Sequence, residues 1–359
     1  MNILQICPGS YKLGRGGISE HVINISERLA KNHNVTVFAT NPQGNLPIRE
    51  IINNVNIERF RRYAPSGAYF FSPEMILRLR SLNCDIVHGH GYSAFPMHYS
   101  TLVKYNKLIV TTHYHGAGHT LLRDSLLKLF KPIGRFTLNK ANKIIAVSNY
   151  EKTLLARDFK INTNKIVVIP NGLDLAEFSG MKKSQKGYKK ILFVGRLEYY
   201  KGVHFLIDVL RNLNNDISME IVGRGPLKDW LIKRAERLKI RDRVFFYENL
   251  SRRELIQKYF DADLFILLSM FEAYSLVVAE ALSAGTKCVV TNTSALSEWV
   301  DNKNCFCVDL PVDINYLSEL IKDIIYDEID KRNFAIKPEK KIFDWDEVVL
   351  EIERIYVKP

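Results

Sequence analysis

The sequence predicts an α/β protein built as two doubly wound domains. Three observations predict it. Short apolar, strand-like runs alternate with helical stretches, and this alternation is made twice along the chain. A stretch rich in Gly, Ser and Lys, "SGMKKSQKGYKK" at 179–190, divides the two runs. A length of 359 residues suits about two domains better than a single core. Strands alternating with helices imply parallel sheets covered on both faces. The bounds expected are a first domain over 1–172, a linker over 173–190 and a second domain over 191–343. A terminal helix at about 344–359 is expected to pack back on the first domain.

Taken in order, "MNILQICPG" is a short apolar strand running into a glycine-rich loop. In "GISEHVINISERLAKNH", Ile18, Val22, Ile25 and Leu29 recur at helical spacing. "NVTVFAT", "CDIVHGH", "KLIVTTH", "KIIAVS" and "KIVVIPNG" supply the further strands of the first set. "ILFVG", "SMEIVG", "RVFFY", "DLFILLS" and "TKCVVT" supply the second set. "DWDEVVLEIERIYVKP" reads as an amphipathic helix. In doubly wound folds ligands bind beyond the carboxyl ends of the strands. The active site is therefore expected in a cleft between the two domains.

Composition narrows the class. Apolar residues make up 47% and charged residues 25%, as in soluble globular proteins. No apolar run approaches the roughly 20 residues of a membrane-spanning helix, and the N-terminus lacks the cationic start of a secretory signal. The expected location is cytoplasmic. The five cysteines are few and mostly isolated, which favours reduced thiols. The net charge of +12 is uneven: residues 1–180 hold 22 Lys and Arg against 11 Asp and Glu, and the remainder holds 29 against 28. Such a field attracts nucleic acid, a phosphorylated substrate or an acidic membrane face, although a merely basic surface also accounts for it.

The second half carries the clearer chemistry. "VGRLEYYKG" places Arg196 and Lys201 just after a buried strand, between Gly195 and Gly202. A strand end leading into a helix start suits an anion, and an Arg fork with a Lys ammonium suits a diphosphate. "SMFEAYSLVVAEALSAG" puts Glu272 in a loop after an apolar strand and predicts a helix from Leu276 to Ala284, closed by Gly285. The free amides near Ser275 and Leu276 then face an anion position. Glu280 lies about a turn inside this apolar helix. A buried carboxylate needs a partner, and either ribose hydroxyls or a structural Arg would serve.

With these residues in view, the chain resembles the family-4 retaining glycosyltransferases of the two-domain GT-B fold. The matching segments are "GRGGISEHVINISERLA", "VTTH", "IIAVSNYEK", "VVIPNGLDLAEF", "VGRLEYYKG", "IVGRGPLKDWL" and "MFEAYSLVVAEALSAG", in family order over nearly the whole chain. The pair Glu272 and Glu280, E-x7-E, after G-R-x4-K-G is a specific combination. The resemblance implies two Rossmann-like domains facing across a cleft, an acceptor-binding domain followed by a nucleotide-sugar-binding one. It implies that Arg196 and Lys201 neutralise the leaving diphosphate, Glu280 holds the ribose and Glu272 contacts the donor sugar. Amides near Ser275 and Leu276, with Gly195, add donor contacts. Gly16 and Gly17 match the flexible glycine loop, and His113 matches a histidine beside the transferred sugar. Gly223, Arg224, Glu248, Asn249 and Leu250 fall in the nucleotide-base region.

The implied chemistry is transfer with retention by front-side displacement, where fixed cations stabilise the charge on the departing diphosphate. Glu272 is not read as a nucleophile, although paired carboxylates suggest that role in glycosidases. The expected donor is a nucleotide-diphosphate sugar, either UDP- or GDP-linked. No cofactor is required. Two departures bear on the transfer. Ala273-Tyr274-Ser275 stands where Gly-Phe-Gly is frequent, so Ser275 either reshapes the phosphate loop or caps the helix through its hydroxyl. Glu248 stands where a Gly is common.

No metal is expected. Asp261/Asp263 leads into a buried strand, and Asp344/Asp346 suits a helix N-terminus. Cys305-x-Cys307 offers two ligands at most. "VTTHYHGAGH" packs His113, His115 and His119 into ten residues, but Gly116 and Gly118 indicate a loop rather than a rigid ligand scaffold. His115 and His119 are read instead as acceptor-side residues, with Arg123 and Lys128. Residues 121–143 hold six cations against one anion among many Leu residues. That mixture suits either an anionic membrane surface or an ordinary helix with a solvated basic face. The expected acceptor is a hydroxyl of a lipid-linked, phosphorylated or glycan-precursor molecule, at or near the inner membrane face. A sugar-nucleotide epimerase or hydrolase is the alternative enzyme, disfavoured by the E-x7-E spacing. A sugar-binding protein without catalysis is disfavoured because every expected residue type is present. Nucleic acid is not an expected partner, since basic charge alone explains neither Glu272 nor Glu280.

Overall fold

The computed structural model describes the chain apart from residues 12–15, 42–43, 64–70, 119–120, 185–188, 329–338 and 359, and apart from the side chains of 121–124. The chain divides into two units, Met1–Gly172 with Phe343–Pro359, and Leu173–Ile342.

In the first unit the strands are β1 (Asn2–Ile6), β2 (Asn34–Asn41), β3 (Arg49–Ile52), β4 (Val55–Arg61), β5 (Asn83–His90), β6 (Lys104–Thr111), β7 (Lys143–Ala146) and β8 (Ile166–Val168). They form one sheet in the order β3-β4-β2-β1-β5-β6-β7-β8. All neighbours are parallel except the β3–β4 pair. The helices are α1 (Gly17–Leu29), α2 (Pro73–Arg80), α3 (Phe95–Tyr99), α4 (Leu121–Lys140), α5 (Asn149–Phe159) and, from the far end of the chain, the helix Trp345–Val357.

Strand residues alternate between faces. Leu4, Val87, Leu108, Val110 and Ile144 pack under α2 to α5, against Met75, Met97, Leu127, Phe130 and Leu154. Their neighbours Ile3, Ile86, Ile109 and Ile145 face the other way, against Val22, Ile25 and Leu29 of α1 and Val348 and Ile352 of the C-terminal helix. That last helix is also tied to α1 by Arg28 Nε to Asp346 at 2.7 Å, and just beyond the end of α1 by His33 Nε2 to Glu353 at 2.6 Å. Asp344 caps it with a reciprocal Glu347 contact, which accounts for the second Asp-x-Asp.

Between the two sets of strands lies the two-residue strand β9 (Gly172–Leu173). The second unit holds β10 (Lys189–Val194), β11 (Ile217–Val222), β12 (Val244–Tyr247), β13 (Leu264–Leu267), β14 (Cys288–Thr291) and β15 (Cys305–Val308), in the order β12-β11-β10-β13-β14-β15. All these pairs are parallel. The helices between them are α6 (Val203–Arg211), α7 (Lys228–Arg237), α8 (Arg252–Asp261), α9 (Leu276–Ser283) and α10 (Ile314–Ile325). The short β16 (Phe343–Asp344) precedes the C-terminal helix, α11.

The stretch 173–190, expected as a linker, is counted in this second unit. Phe178 is buried in it, Lys183 Nζ lies 2.8 Å from Asp263, and the Ser184 amide donates to Asp261 at 2.8 Å. Its lysine-rich composition looks solvated because composition does not register partners. The same contacts give the first Asp-x-Asp a structural role. No described helix is long and apolar enough to cross a membrane.

Candidate functional site

In the second unit the strand order reverses at β10, whose neighbours β11 and β13 lie on either side. Loops leaving the carboxyl ends at such a point diverge and leave a crevice. The loop after β10 carries Arg196 and Lys201, and the loop after β13 carries Glu272. Lys201 sits in the 3-10 turn Tyr199–Lys201, followed by Gly202 at φ 69°. Its Nζ meets Glu272 Oε1 at 2.5 Å, with the two side chains only 16% and 14% exposed. Burial pulls the Lys201 ammonium down, but the Glu272 carboxylate and Tyr200 more than offset it, and Lys201 ends above the ordinary lysine value. Arg196 is largely exposed and pairs with Glu198.

Trp299 Nε1 donates to the Tyr274 carbonyl at 2.7 Å, anchoring the loop between Glu272 and α9. Ser275 precedes Leu276 with φ 80°, a left-handed conformation that favours glycine. Its hydroxyl does not cap α9: it makes no cap hydrogen bond, and its Oγ is buried without a partner among the described residues. The left-handed backbone at Ser275 turns the side chain away from the N2 and N3 amides that a capping hydroxyl must reach.

Glu280 points inward from α9 and is held by Arg252 and by Tyr259 OH at 2.7 Å. Arg252 in turn bonds Glu177 at 2.8 Å. Burial draws the guanidinium down, yet Glu280 and Glu177 raise it well above its ordinary value. Of the two partners open to Glu280 from sequence, a structural Arg is therefore present. In the loops after β11 and β12, Arg224 meets Glu248 Oε2 at 3.0 Å and also bonds Asn249, while Lys228 reaches Glu248 Oε1 at 2.6 Å. Hydrogen bonding to Lys228 holds the half-buried Glu248 carboxyl below its usual range. A Cβ on Gly223 would lie 1.8 Å from the Gly195 carbonyl oxygen, so glycine there lets the two loops touch. Leu250 follows, half-buried.

In the first unit, Gly16 is the N-cap of α1, and Gly17 is its first residue. A Cβ on Gly16 would meet nothing within 4 Å among the described residues. His113 lies two residues past β6 with φ 48°. Glu151 holds this strained turn. Its carboxylate accepts from Thr112 Oγ1, from the Tyr114 amide at 2.5 Å and from the Val147 amide at 2.7 Å. Burial pushes the Glu151 carboxyl up to about 7, against the opposing pull of those three donors. Sequence reading passed over Glu151; the Ser148-x-x-Glu151 capping spacing was its available signal.

The structure brings His113 together with His21 and His90, rather than with His115. The His21 ring centroid lies 5.0 Å from that of His113 and 5.4 Å from that of His90. His115 is half-buried in the following turn, and His119 lies outside the described residues. Arg123 falls in α4, with its side chain also outside them, and Lys128 is exposed on the same helix.

Comparison with known proteins agrees with this architecture. The family model for glycosyl transferases group 1 matches residues 176–341, and that for glycosyltransferase family 4 matches residues 15–177. The glycogen synthase of Mycobacterium tuberculosis is 26% identical over 95% of this chain and 91% of its own. The gpi3 subunit of phosphatidylinositol N-acetylglucosaminyltransferase of Schizosaccharomyces pombe is 26% identical over 95% of this chain and 77% of its own. The structure of Anabaena HepE in complex with UDP-glucose superposes with a TM-score of 0.75 at 16% identity, over 99% of both chains, a likeness of fold. Two matched family models that together run from residue 15 to residue 341, on two Rossmann-like sheets, make the chain a member of the family-4 glycosyltransferases with the GT-B fold.

Proposed function

We propose that this glycosyltransferase moves a hexose, with retention, from a nucleotide-diphosphate sugar to a hydroxyl acceptor. The observation that carries the reading is the convergence of Lys201, Glu272 and the N-terminus of α9 on the crevice between β10 and β13. A diphosphate entering that crevice meets the Lys201 ammonium, the Arg196 fork and the amides near Ser275 and Leu276. Glu272, freed from Lys201, then accepts hydrogen bonds from sugar hydroxyls. Glu280, steadied by Arg252 and Tyr259, takes the ribose hydroxyls, and the loops bearing Gly223, Arg224, Glu248, Asn249 and Leu250 border the base. In the first unit, the family resemblance assigns Gly16 and Gly17 to the flexible glycine loop and His113 to the sugar-side histidine.

In this mechanism the leaving phosphate oxygen takes the acceptor proton while Arg196 and Lys201 absorb the developing charge. Preorganised donors of this kind supply about 10²–10³ in turnover each, which is why transfer needs no metal at the diphosphate. UDP-glucose in the HepE complex makes UDP-sugars the first donors to test, with GDP-sugars beside them.

For the acceptor, a relative named for phosphatidylinositol directs attention to α4. Leu129, Ile133 and Phe136 are 76%, 42% and 54% exposed on this helix, among exposed Lys128, Arg135 and Lys140. Leu127, Phe130 and Leu138 of the same helix are buried. One face therefore packs into the core and the other presents apolar and basic groups together, as contact with an anionic lipid-linked acceptor at a cytoplasmic membrane face requires.

The test is a thermal-shift screen of nucleotide sugars, followed by transfer assays with Lys201→Ala. The true donor stabilises the fold by mass action. Lys201→Ala keeps the fold and loses at least about 10²-fold in kcat. Near wild-type turnover in that variant rules the assignment out.

A further inference from the structure

Around His113 the first unit encloses a polar cluster whose other members, His21 and His90, the transfer reaction does not use. His90 Nε2 meets Gln5 Oε1 at 2.7 Å, and His21 Nδ1 meets Asn171 Oδ1 at 2.9 Å. An amide oxygen only accepts, so these two imidazole nitrogens carry the protons. The same network continues beyond Gln5. Gln5 Nε2 donates to Tyr356 OH at 3.1 Å, that hydroxyl shares a hydrogen bond with His88 Nδ1 at 2.7 Å, and His88 Nε2 shares one with Thr111 Oγ1 at 2.7 Å.

The remaining nitrogens, His21 Nε2 and His90 Nδ1, are then bare lone pairs. Neither finds a hydrogen-bond partner among the described residues, and nor does His113 Nε2. One ligand atom from each of these three residues lies within 4.8 Å of the other two. Buried polar nitrogens crowded together without hydrogen bonds are unfavourable.

A cation resolves it. Zinc binds imidazole nitrogen at about 2.0–2.1 Å with tetrahedral angles, which sets the centroids of two ligating rings about 5 Å apart. The observed separations from His21, 5.0 and 5.4 Å, match. In metal sites the second ring nitrogen of a ligating histidine donates to a carbonyl or carboxylate, as Gln5 and Asn171 accept here.

We propose that His21, His90 and His113 bind one divalent transition cation of the zinc class, with Gln5 and Asn171 orienting two of the ligand rings. Three neutral imidazoles suit zinc, copper or nickel and disfavour magnesium or calcium. With three imidazole ligands a fourth position remains for water. The cation joins α1, the end of β5 and the strained turn after β6, and so fixes the backbone at His113. The proposal goes beyond the transfer reading and does not depend on it, since Arg196 and Lys201 meet the diphosphate charge there.

The test uses the full chain, stripped with a chelator, dialysed and titrated with zinc chloride by calorimetry. Cobalt chloride serves as the spectroscopic probe. The expected result is one cation per chain, a tetrahedral cobalt absorption spectrum and a raised melting temperature. His21→Gln should weaken zinc binding more than about tenfold, and Asn171→Ala by about 10–100-fold. His33→Gln, at a histidine paired with Glu353 instead, should leave it unchanged. A dialysed wild-type chain that binds neither metal overturns the proposal, as does binding that survives both His21→Gln and Asn171→Ala. If His21→Gln does not fold, the cobalt spectrum of the wild type and the Asn171→Ala titration decide the matter.

Discussion

Replacing Glu151 by Gln is the sharpest probe of the turn that carries His113. The wild-type carboxyl is buried and held at about 7 instead of 4.5. The unfolded chain ionises first, so it binds fewer protons than the folded chain between those values, and stability falls as pH rises. From below pH 4.5 to above pH 7 this group removes about 3 kcal/mol of folding stability. The amide in Glu151→Gln has no such titration. It keeps an oxygen for Thr112 and Tyr114 but turns an NH2 toward the Val147 amide, and the unpaired donors cost about 1–3 kcal/mol at any pH. Urea unfolding at pH 5 and pH 8 reads both terms. Wild type should exceed Glu151→Gln clearly at pH 5, and the gap should shrink or reverse by pH 8. The turn also holds His113 at φ 48°, so relaxing it should lower kcat about tenfold or more, because small misplacements of a positioned group are costly. An identical gap at both pH values refutes the raised carboxyl, and full turnover refutes the clamp on His113.

Ser275→Gly tests the left-handed backbone before α9. A non-glycine residue there costs about 1–3 kcal/mol, and glycine returns part of that as chain entropy, so the variant should gain about 1 kcal/mol in urea unfolding; a loss of stability would contradict the reading. On α4, Leu129→Asp with Phe136→Asp should abolish flotation with anionic vesicles at low salt while leaving the melting temperature within a degree or two, because both side chains are exposed. Undiminished flotation would remove α4 from the acceptor proposal.

Most of the fold was legible in the sequence because buried parallel strands are near-continuous apolar runs. β5, β6 and β7 stand out for that reason, as do β10, β13 and β14. The β3–β4 hairpin was not seen. Its strands, "REII" and "VNIERFR", are mixed and charged because they lie at the sheet edge. Its Asn53-Asn54 turn, with φ of 49° and 64°, was the available signal. The placement of Arg196, Lys201 and Glu272 after strand ends, and of Glu280 inside α9, was equally legible, since sequence marks those elements well.

Partners were harder to read, and the reason is physical. Glu280 needed a cation, but Arg252 lies 28 positions away on another helix. Residues 110–119 drew attention as a run of histidines, yet the two that gather around His113 come from α1 and β5. Sequence spacing reports which groups share one strand or helix, whereas a parallel sheet collects the carboxyl ends of strands that are far apart in the chain. His90 ends β5 and His113 follows β6, its hydrogen-bonded neighbour, so their meeting is a consequence of the β5–β6 register, in which His90 pairs with Thr111. His21 joins them because α1, which follows β1 on the other side of β5, packs on the same sheet. A histidine cluster in such a fold is therefore better sought across consecutive strand ends than within one loop.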